Sequence, residues 1–285
     1  MVAAALRAVH GWDEEDVVIV PITTTGDVIQ DRPLAEVGGK ALWTKELDRC
    51  LMDGRTDMSV HSMKDVETIR PDTLVIAAML PRADTCDRLI GAPSIERLGQ
   101  GAKVGTSSPR RAAQLLHRRP DLEIVSIRGN VQTRLAKLEA GEADATLLAA
   151  AGLKRLGMAD IGAELADMLP APAQGAVGIE VRADAGDVLQ WVAAIGHADT
   201  QACVAAERRL LEGLGGNCRS PVAALATCDG EQVMLEAEIL TPDGRECLRR
   251  TASFASSDED APRALARSLL ADASPALRAL FDGLD

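Results

Sequence analysis

Tyrosine is absent from the chain, phenylalanine occurs twice and tryptophan three times. A site that reads its ligand by aromatic stacking is therefore not expected. The six cysteines, Cys50, Cys86, Cys203, Cys218, Cys228 and Cys247, are scattered without a CxxC pair. That spacing suggests neither a zinc site nor a disulfide framework, and reduced thiols in a cytosolic protein are the plain reading. No apolar run approaches the roughly 20 residues of a membrane span. The opening MVAAALRAVHGWDEED lacks the basic leader and apolar stretch of a secretion signal. Phosphate-loop patterns of the GxxxxGK(S/T) or GxGxxG kind are missing as well. Positive charge is scarce too: a net charge of −12 argues against general nucleic-acid binding. Against that acidic background, any local cluster of arginines becomes informative.

What is present is material for two or three domains, or one large one: 285 residues, 47% of them apolar. From residue 17 short apolar runs alternate with amphipathic stretches. VVIVPITT reads as a strand and KALWTKELDRCLMDG as a helix ending at Gly54; DMSVHSM and TLVIAAML read as further strands. AKVGTS (strand), PRRAAQLLHRR (helix), LEIVSI (strand), NVQTRLAKLEAG (helix) and ATLLAA (strand) follow. This α/β grammar implies a parallel or mixed sheet covered on both faces, with ligands at the carboxyl ends of strands. After about residue 200 the pattern changes. ACVAAERRLLEGL reads as a helix, and three strands then meet at turns carrying Asp229-Gly230 and Asp243-Gly244, a strong hairpin signal. A closing helix covers EDAPRALARSLLADA, so the last region is a small α+β domain.

Three stretches place cations at strand ends. In VGTSSPRRAAQLL, Ser108 caps a helix and Pro109 suits its first position, so Arg110 and Arg111 fall in the first turn. The helix dipole repels cations there unless an anion stands in front of them. In SIRGNVQTRLAKL, Arg128 and Gly129 form the turn, Asn130 caps, and Arg134 lies one turn in. AGLKRLG adds Lys154 and Arg155 past a third strand. Such an edge suits a ligand with several carboxylates; phosphate and a solvated basic turn are the alternatives. In VHSMKDV, Asp65 on a strand-end loop is a candidate acid/base or cation stabiliser, or simply the partner of Lys64 or an arginine. His61 is as readily a packed structural histidine as a catalytic one. In LEGLGGNCRSP, Cys218 sits on a Gly- and Pro-rich loop beside Arg219, either as an activated thiol or as a small apolar residue in a tight turn.

Taken together, TTGDVIQDRPLAEVGGKALWTKELD, DMSVHSMKDV, KVGTSSPRRAAQL, SIRGNVQTRLAKLEAGEADATLLAAAGLKRLG, PAPAQGAVGIEVR and LGGNCRSPVAALA resemble the porphobilinogen deaminase (hydroxymethylbilane synthase) family, in the family's order and spacing. The resemblance implies two lobes like those of periplasmic binding proteins, with mixed sheets, and a small α+β carboxy-terminal domain. It places the first lobe at residues 1–80 plus about 175–195, the second at 84–173 and the third domain at 198–285. It implies a dipyrromethane cofactor attached through Cys218, on which four porphobilinogens join with loss of ammonia before water releases the linear tetrapyrrole. Asp65 is then the catalytic carboxylate. Lys64, Ser107, Arg110, Arg111, Arg128, Gly129 and Asp65 itself contact the cofactor, and Arg134, Arg155, Trp43 and Thr106 contact substrate. No metal or nucleotide is implied. A cytoplasmic monomer that passes its product to uroporphyrinogen-III synthase is expected, with no nucleic-acid or membrane partner.

The chain departs from the family pattern in three places. The family's opening strand and Arg/Ser loop have no counterpart, so an incomplete first lobe is expected. Trp43 stands where phenylalanine is common, and Glu67 replaces a proline, a change expected to be mild. A non-enzymatic two-lobed carboxylate binder is the competing reading, and an inactive truncated deaminase homologue a third; Cys218 and Asp65 are the residues that a pure binder would not need.

Overall fold

The alternation of apolar and amphipathic segments resolves into three separate sheets. The computed structural model describes residues 1–25, 44–216 and 220–281. Along the chain come α1 (Val2–His10), α2 (Lys45–Met52), β1 (Ser59–Ser62), β2 (Leu74–Met79), β3 (Asp87–Ile90), β4 (Lys103–Gly105), α3 (Pro109–Arg118), β5 (Glu123–Val125) and α4 (Val131–Glu139). They are followed by β6 (Ala145–Ala149), α5 (Ala150–Arg155), β7 (Ala163–Glu164), β8 (Val177–Arg182), α6 (Gly186–Ala193) and α7 (Ala198–Gly213). β9 (Val222–Cys228), β10 (Gln232–Leu240), β11 (Cys247–Ala255), α8 (Ala261–Asp272) and α9 (Pro275–Arg278) complete the described chain. Among the described residues no helix is long and apolar enough to cross a membrane.

In the first sheet β8 lies between β1 and β2 and is antiparallel to both. Its central place explains why Val177, Gly178, Ile179, Glu180 and Val181 are all buried. Gly178 is required there, because a Cβ at that position would sit 2.1 Å from the Met63 sulfur. A carboxylate in such a strand needs partners. Glu180 has them, receiving two hydrogen bonds from Arg70 at 2.8 and 3.0 Å and one from His61 at 2.9 Å. Helices α1 and α6 pack over this sheet through Leu6 and Val192, joined by Ile195 just beyond α6. At their outer end Trp12 stands edge-on to Trp191, with centroids 5.3 Å apart, and stacks on His10. The sequence reading of VVIVPITT as a strand is corrected here. Residues 17–24 belong to no strand, and Val18 and Ile19 are 75% and 74% exposed. A β-strand exists through its ladder partner, and none of the described residues provides one.

The second sheet has the order β5-β4-β6-β3-β7. Strand β4 is parallel to β5 and β6, while β3 is antiparallel to β6 and β7. This is the mixed sheet expected from alternating strands and helices. The third sheet, β11-β10-β9, is an antiparallel meander whose turns carry Gly230 and Gly244 at positive φ. Helices α7 and α8 cover it through Leu210, Leu265 and Leu269. The Gly244 turn reaches the second sheet's layer: His117 Nδ1 lies 2.8 Å from the Gly244 carbonyl oxygen, and a Cβ there would meet the His117 backbone nitrogen at 2.3 Å.

Two segments cross between the first and second sheets, residues 80–86 outward and 165–176 on the return. They run side by side, joined by Leu80 N–H to Val177 O at 3.0 Å and Ala83 N–H to Gly175 O at 3.3 Å. On the return segment Ala173 has φ +62°, the one positive value at a non-glycine among the described residues. Glu207 of α7 holds both segments. Its carboxylate, fully buried, accepts from Arg82 Nη1 and Nη2 at 2.7 and 2.9 Å, from Ala173 N–H at 2.6 Å and from Ala226 N–H at 2.7 Å. Replacing it strands a guanidinium and two buried amides, which in comparable cases costs about 3–5 kcal/mol. Glu207→Ala is therefore expected to lower stability by that amount in urea unfolding. A loss below about 1 kcal/mol, the level of an exposed ion pair, would show that the crossovers are held by other contacts.

Candidate active site

Strands β5, β4 and β6 are parallel neighbours, so their carboxyl ends open on one edge of the second sheet. The loops leaving those ends are built as the sequence suggests. Ser108 Oγ accepts the Arg111 N–H at 3.4 Å and caps α3, and Asn130 Oδ1 accepts the Thr133 N–H at 2.9 Å and caps α4. Gly129 at φ +112° makes the turn before Asn130, where a side chain would collide with Thr133 at 2.6 Å. Ser107 Oγ ties two of these loops together: it lies 2.9 Å from Ser126 Oγ and donates to the Ile127 carbonyl at 3.0 Å.

An internal anion stands in front of Arg110 and Arg111, the residues expected to contact the cofactor. Both are buried and both bind Asp87, the first residue of β3. Arg111 makes a bidentate pair with it at 3.1 and 2.7 Å and donates to the Leu147 carbonyl; Arg110 Nη1 reaches Asp87 at 2.7 Å and the Leu169 carbonyl at 3.2 Å. Gln174 of the return crossover adds a hydrogen bond to Asp87 at 2.9 Å. Burial by itself would raise the Asp87 carboxyl, but the two guanidinium groups overcome it and hold the group far below the usual carboxylate range. The dipole conflict at the start of α3 is thus relieved from within the protein. Thr106, expected to contact substrate, is buried, and its Oγ1 accepts the Ser108 N–H at 3.1 Å.

Asp65 faces this edge from the first sheet. A 3-10 turn, Met63–Asp65, follows β1 directly and is pinned by Met63 N–H to the Ala176 carbonyl at 3.1 Å. Met63 is buried against the gap left by Gly178. Asp65 is open to solvent, yet protein surrounds it closely enough that desolvation raises its carboxyl above the ordinary value. That combination describes the floor of a cleft. Lys64, a hydrogen bond from Ser62, Arg134 and Arg111 pull in the opposite direction. The same crowding lowers the Lys64 ammonium.

Arg134 stands across from Asp65. Its Nε donates to the Gly129 carbonyl at 2.9 Å, which aims the side chain back over its own loop. Desolvation and the neighbouring charges of Arg111 and Arg128 push its guanidinium down to about 10, against the pull of Asp65. Cations crowded until they disfavour one another form a receptor for an anion. Arg155 lies near the crossovers, donating to the Gly175 carbonyl at 3.2 Å. The structure thus brings together Asp65, Lys64, Arg128 and Arg134 at the cleft, with Ser107, Gly129 and Arg155 in its frame. Cys218 and Trp43 lie outside the described residues. His61 is a packed histidine paired with Glu180, not a cleft residue. Glu67, expected to be a mild replacement, accepts from Thr44 Oγ1 at 3.0 Å and from Arg70 Nη1 at 2.8 Å.

The sequence reading missed Asp87. Its only signal was indirect, the need of two helix-start arginines for an anion, because Asp87 opens a strand that carries no motif. Asp87→Asn leaves two buried guanidinium groups without a counter-charge, and a loss of roughly 3–5 kcal/mol in urea unfolding is expected. Because the folded carboxyl titrates below the unfolded one, its contribution is present above about pH 4 and fades only as pH falls further. Between pH 5 and 8 the deficit of the variant is therefore expected to stay constant; a deficit that vanished within that window would disprove the pairing.

The family model described as "Porphobilinogen deaminase, dipyromethane cofactor binding domain" matches residues 1–190, and that of the C-terminal domain of the same family matches residues 201–272. The chain is 56% identical to porphobilinogen deaminase of Sphingopyxis alaskensis over 291 aligned residues, covering 99% of this chain and 91% of that protein. With the deaminase of Paracoccus denitrificans it shares 50% identity, over 85% of this chain and 79% of that one. Among solved structures, the VFT2 periplasmic domain of Bordetella pertussis BvgS aligns at 15% identity and TM-score 0.39, covering 68% of this chain and 74% of that one. A substrate-binding domain of a Streptococcus pneumoniae amino acid transporter aligns at 14% identity and TM-score 0.40, covering 67% and 78%. Likeness at that level adds nothing to the topology already described, whereas the two family models and the close relatives together cover nearly the whole sequence: the chain belongs to the porphobilinogen deaminase family.

Proposed function

We propose that this protein is a hydroxymethylbilane synthase, condensing four porphobilinogens head to tail on a dipyrromethane attached through Cys218, then releasing the linear tetrapyrrole by hydrolysis. The observation that carries the reading is the charge neighbourhood of one carboxylate, Asp65, with Lys64 beside it and Arg134 and Arg111 near enough to favour its ionised form, and with Arg128 next to Arg134. Each pyrrole of substrate and chain carries an acetate and a propionate, so a growing chain accumulates anionic groups that such a cluster suits. The donor set therefore fits the cofactor: Lys64 and Arg128 take its carboxylates, with Gly129 and Ser107 shaping the loops around it. Arg134 and Arg155 take those of incoming substrate. Arg110 and Arg111, held by Asp87, add to the cofactor contacts, and Thr106 to those of the substrate. When bound, the dipyrromethane supplies the nucleophilic α-carbon on which the chain grows.

Asp65 does the work of charge stabilisation. The aminomethyl C–N bond of porphobilinogen breaks, ammonia leaves with the electron pair, and a cationic methylene-pyrrole remains. An ionised Asp65 accepts a hydrogen bond from the pyrrole N–H and offsets that charge in a site of low dielectric. After carbon–carbon bond formation the proton lost from the α-carbon has a nearby base in the same carboxylate. Lys64, Arg134 and Arg111 favour its ionised form, against the desolvation that raises its carboxyl. The protein acts as a monomer in the cytoplasm and passes its labile product to uroporphyrinogen-III synthase.

Two measurements test this reading. Mass spectrometry of the intact protein should show an added dipyrromethane mass on the peptide containing Cys218, absent in Cys218→Ser; an unmodified protein that still binds organic anions would favour a non-enzymatic binder. Asp65→Asn should keep the fold and the added mass while turnover falls by about 10²–10⁴, the usual range for a lost acid–base group. Unchanged turnover would remove Asp65 from the mechanism.

A further inference from the structure

The backbone that follows Asp65 is gripped from the third unit. Arg208 of α7 donates from Nη1 to the Val66 carbonyl at 3.0 Å, and from Nη2 to the carbonyls of Glu67 and, at 3.1 Å, Thr68. Three consecutive carbonyls on one guanidinium hold a loop far more firmly than a surface pair does, because the planar fork fixes direction as well as distance. One turn earlier on the same helix face, Val204 is buried with Met63 and Val66 in one apolar cluster. The turn bearing Lys64 and Asp65 is therefore fastened at its start by the Met63–Ala176 hydrogen bond, beneath by Val204, and at its end by Arg208. The residue beside Arg208 is Glu207, which holds the two crossovers. Helix α7 ends at Gly213, five residues before Cys218 in the sequence.

We propose that Arg208 is a positioning residue for Asp65. It fixes the backbone directly behind the carboxylate and sets it in register with the helix that leads into the cofactor-bearing segment. The proposal rests on the role given to Asp65 above. Arg208 itself meets backbone, not substrate, so it acts through the turn alone. Loss of its fork frees residues 66–68 and lets the carboxylate wander from the pyrrole N–H, while Arg134 and Arg155, the residues assigned to substrate, lie on the second sheet's side and stay in place. Turnover should suffer and substrate affinity should not.

The test compares Arg208→Gln with Arg208→Lys and Asp65→Asn, using protein in which Cys218 carries its full added mass. A misplacement of about 1 Å costs on the order of 100-fold, so kcat of Arg208→Gln should fall by about 10- to 100-fold with KM for porphobilinogen within about twofold. Hydrogen exchange of the peptide spanning residues 63–69 should accelerate in the same variant. Arg208→Lys, which keeps the charge but not the fork, should lie between parent and Gln variant, and it serves alone if the Gln variant does not fold. A parental kcat in either variant overturns the proposal, as does a raised KM with kcat unchanged, or exchange at 63–69 equal to that of the parent. Retained turnover in Asp65→Asn overturns the role of Asp65 itself and takes the proposal with it; lost turnover there beside a parental Arg208→Gln overturns only the positioning role.

Discussion

One buried carboxylate, Glu207, joins all three sheets of this protein. Four donors converge on it, from the outgoing crossover, the returning crossover and a strand of the third sheet. An uncompensated charge at that depth would be prohibitive, so the three parts must approach until each donor reaches it. The relation between the two lobes is thereby set from outside them, by a helix of the third unit. Arg208 extends the same control to the loop behind Asp65, and the two residues stand side by side on one helix. The third unit is in this sense the frame of the cleft.

A second theme is the matching of arginine to internal acid. The chain is acidic overall, yet its informative arginines divide into two sets. Arg70, Arg82, Arg110 and Arg111 are consumed by Glu180, Glu207 and Asp87, carboxylates that are fully buried. Arg134 receives no such partner among the described residues and is left beside cations that depress it. A ligand rich in carboxylates is attracted by the second set, which the first set supports. Arginine suits both tasks, because it keeps its charge when buried and addresses carboxylates with two parallel bonds.

Much of this was legible in the sequence where a residue's role depends on its neighbours along the chain. The caps Ser108 and Asn130, the Gly129 turn, the Asp-Gly hairpins and the helix of residues 198–213 all follow from local propensity and spacing. Asp65 stood out as a candidate because its loop gathers several reactive side chains into few positions. What escaped was set by distant pairing. Strand β8 was not recognised, because a strand buried on both faces has no alternation, and it carries a glycine and a glutamate besides. Residues 17–20 look like a strand by composition and form none, since a ladder needs a second strand that composition cannot reveal. Arg110 and Arg111 announced the need for an anion without naming Asp87, which lies 23 residues upstream of the first of them.

The scarcity of aromatic rings has an optical consequence. Trp12 and Trp191 pack edge-on over the first sheet, and with tyrosine absent no stronger chromophore than phenylalanine occurs beyond residue 191. Tryptophan fluorescence therefore originates wholly in the amino-terminal two thirds of the chain. The third unit, which frames the cleft, is dark to tryptophan fluorescence. Its loosening would leave the emission unchanged until the strain reached Trp12, Trp43 or Trp191, so a melt followed by fluorescence and one followed by circular dichroism would watch different parts of the same molecule.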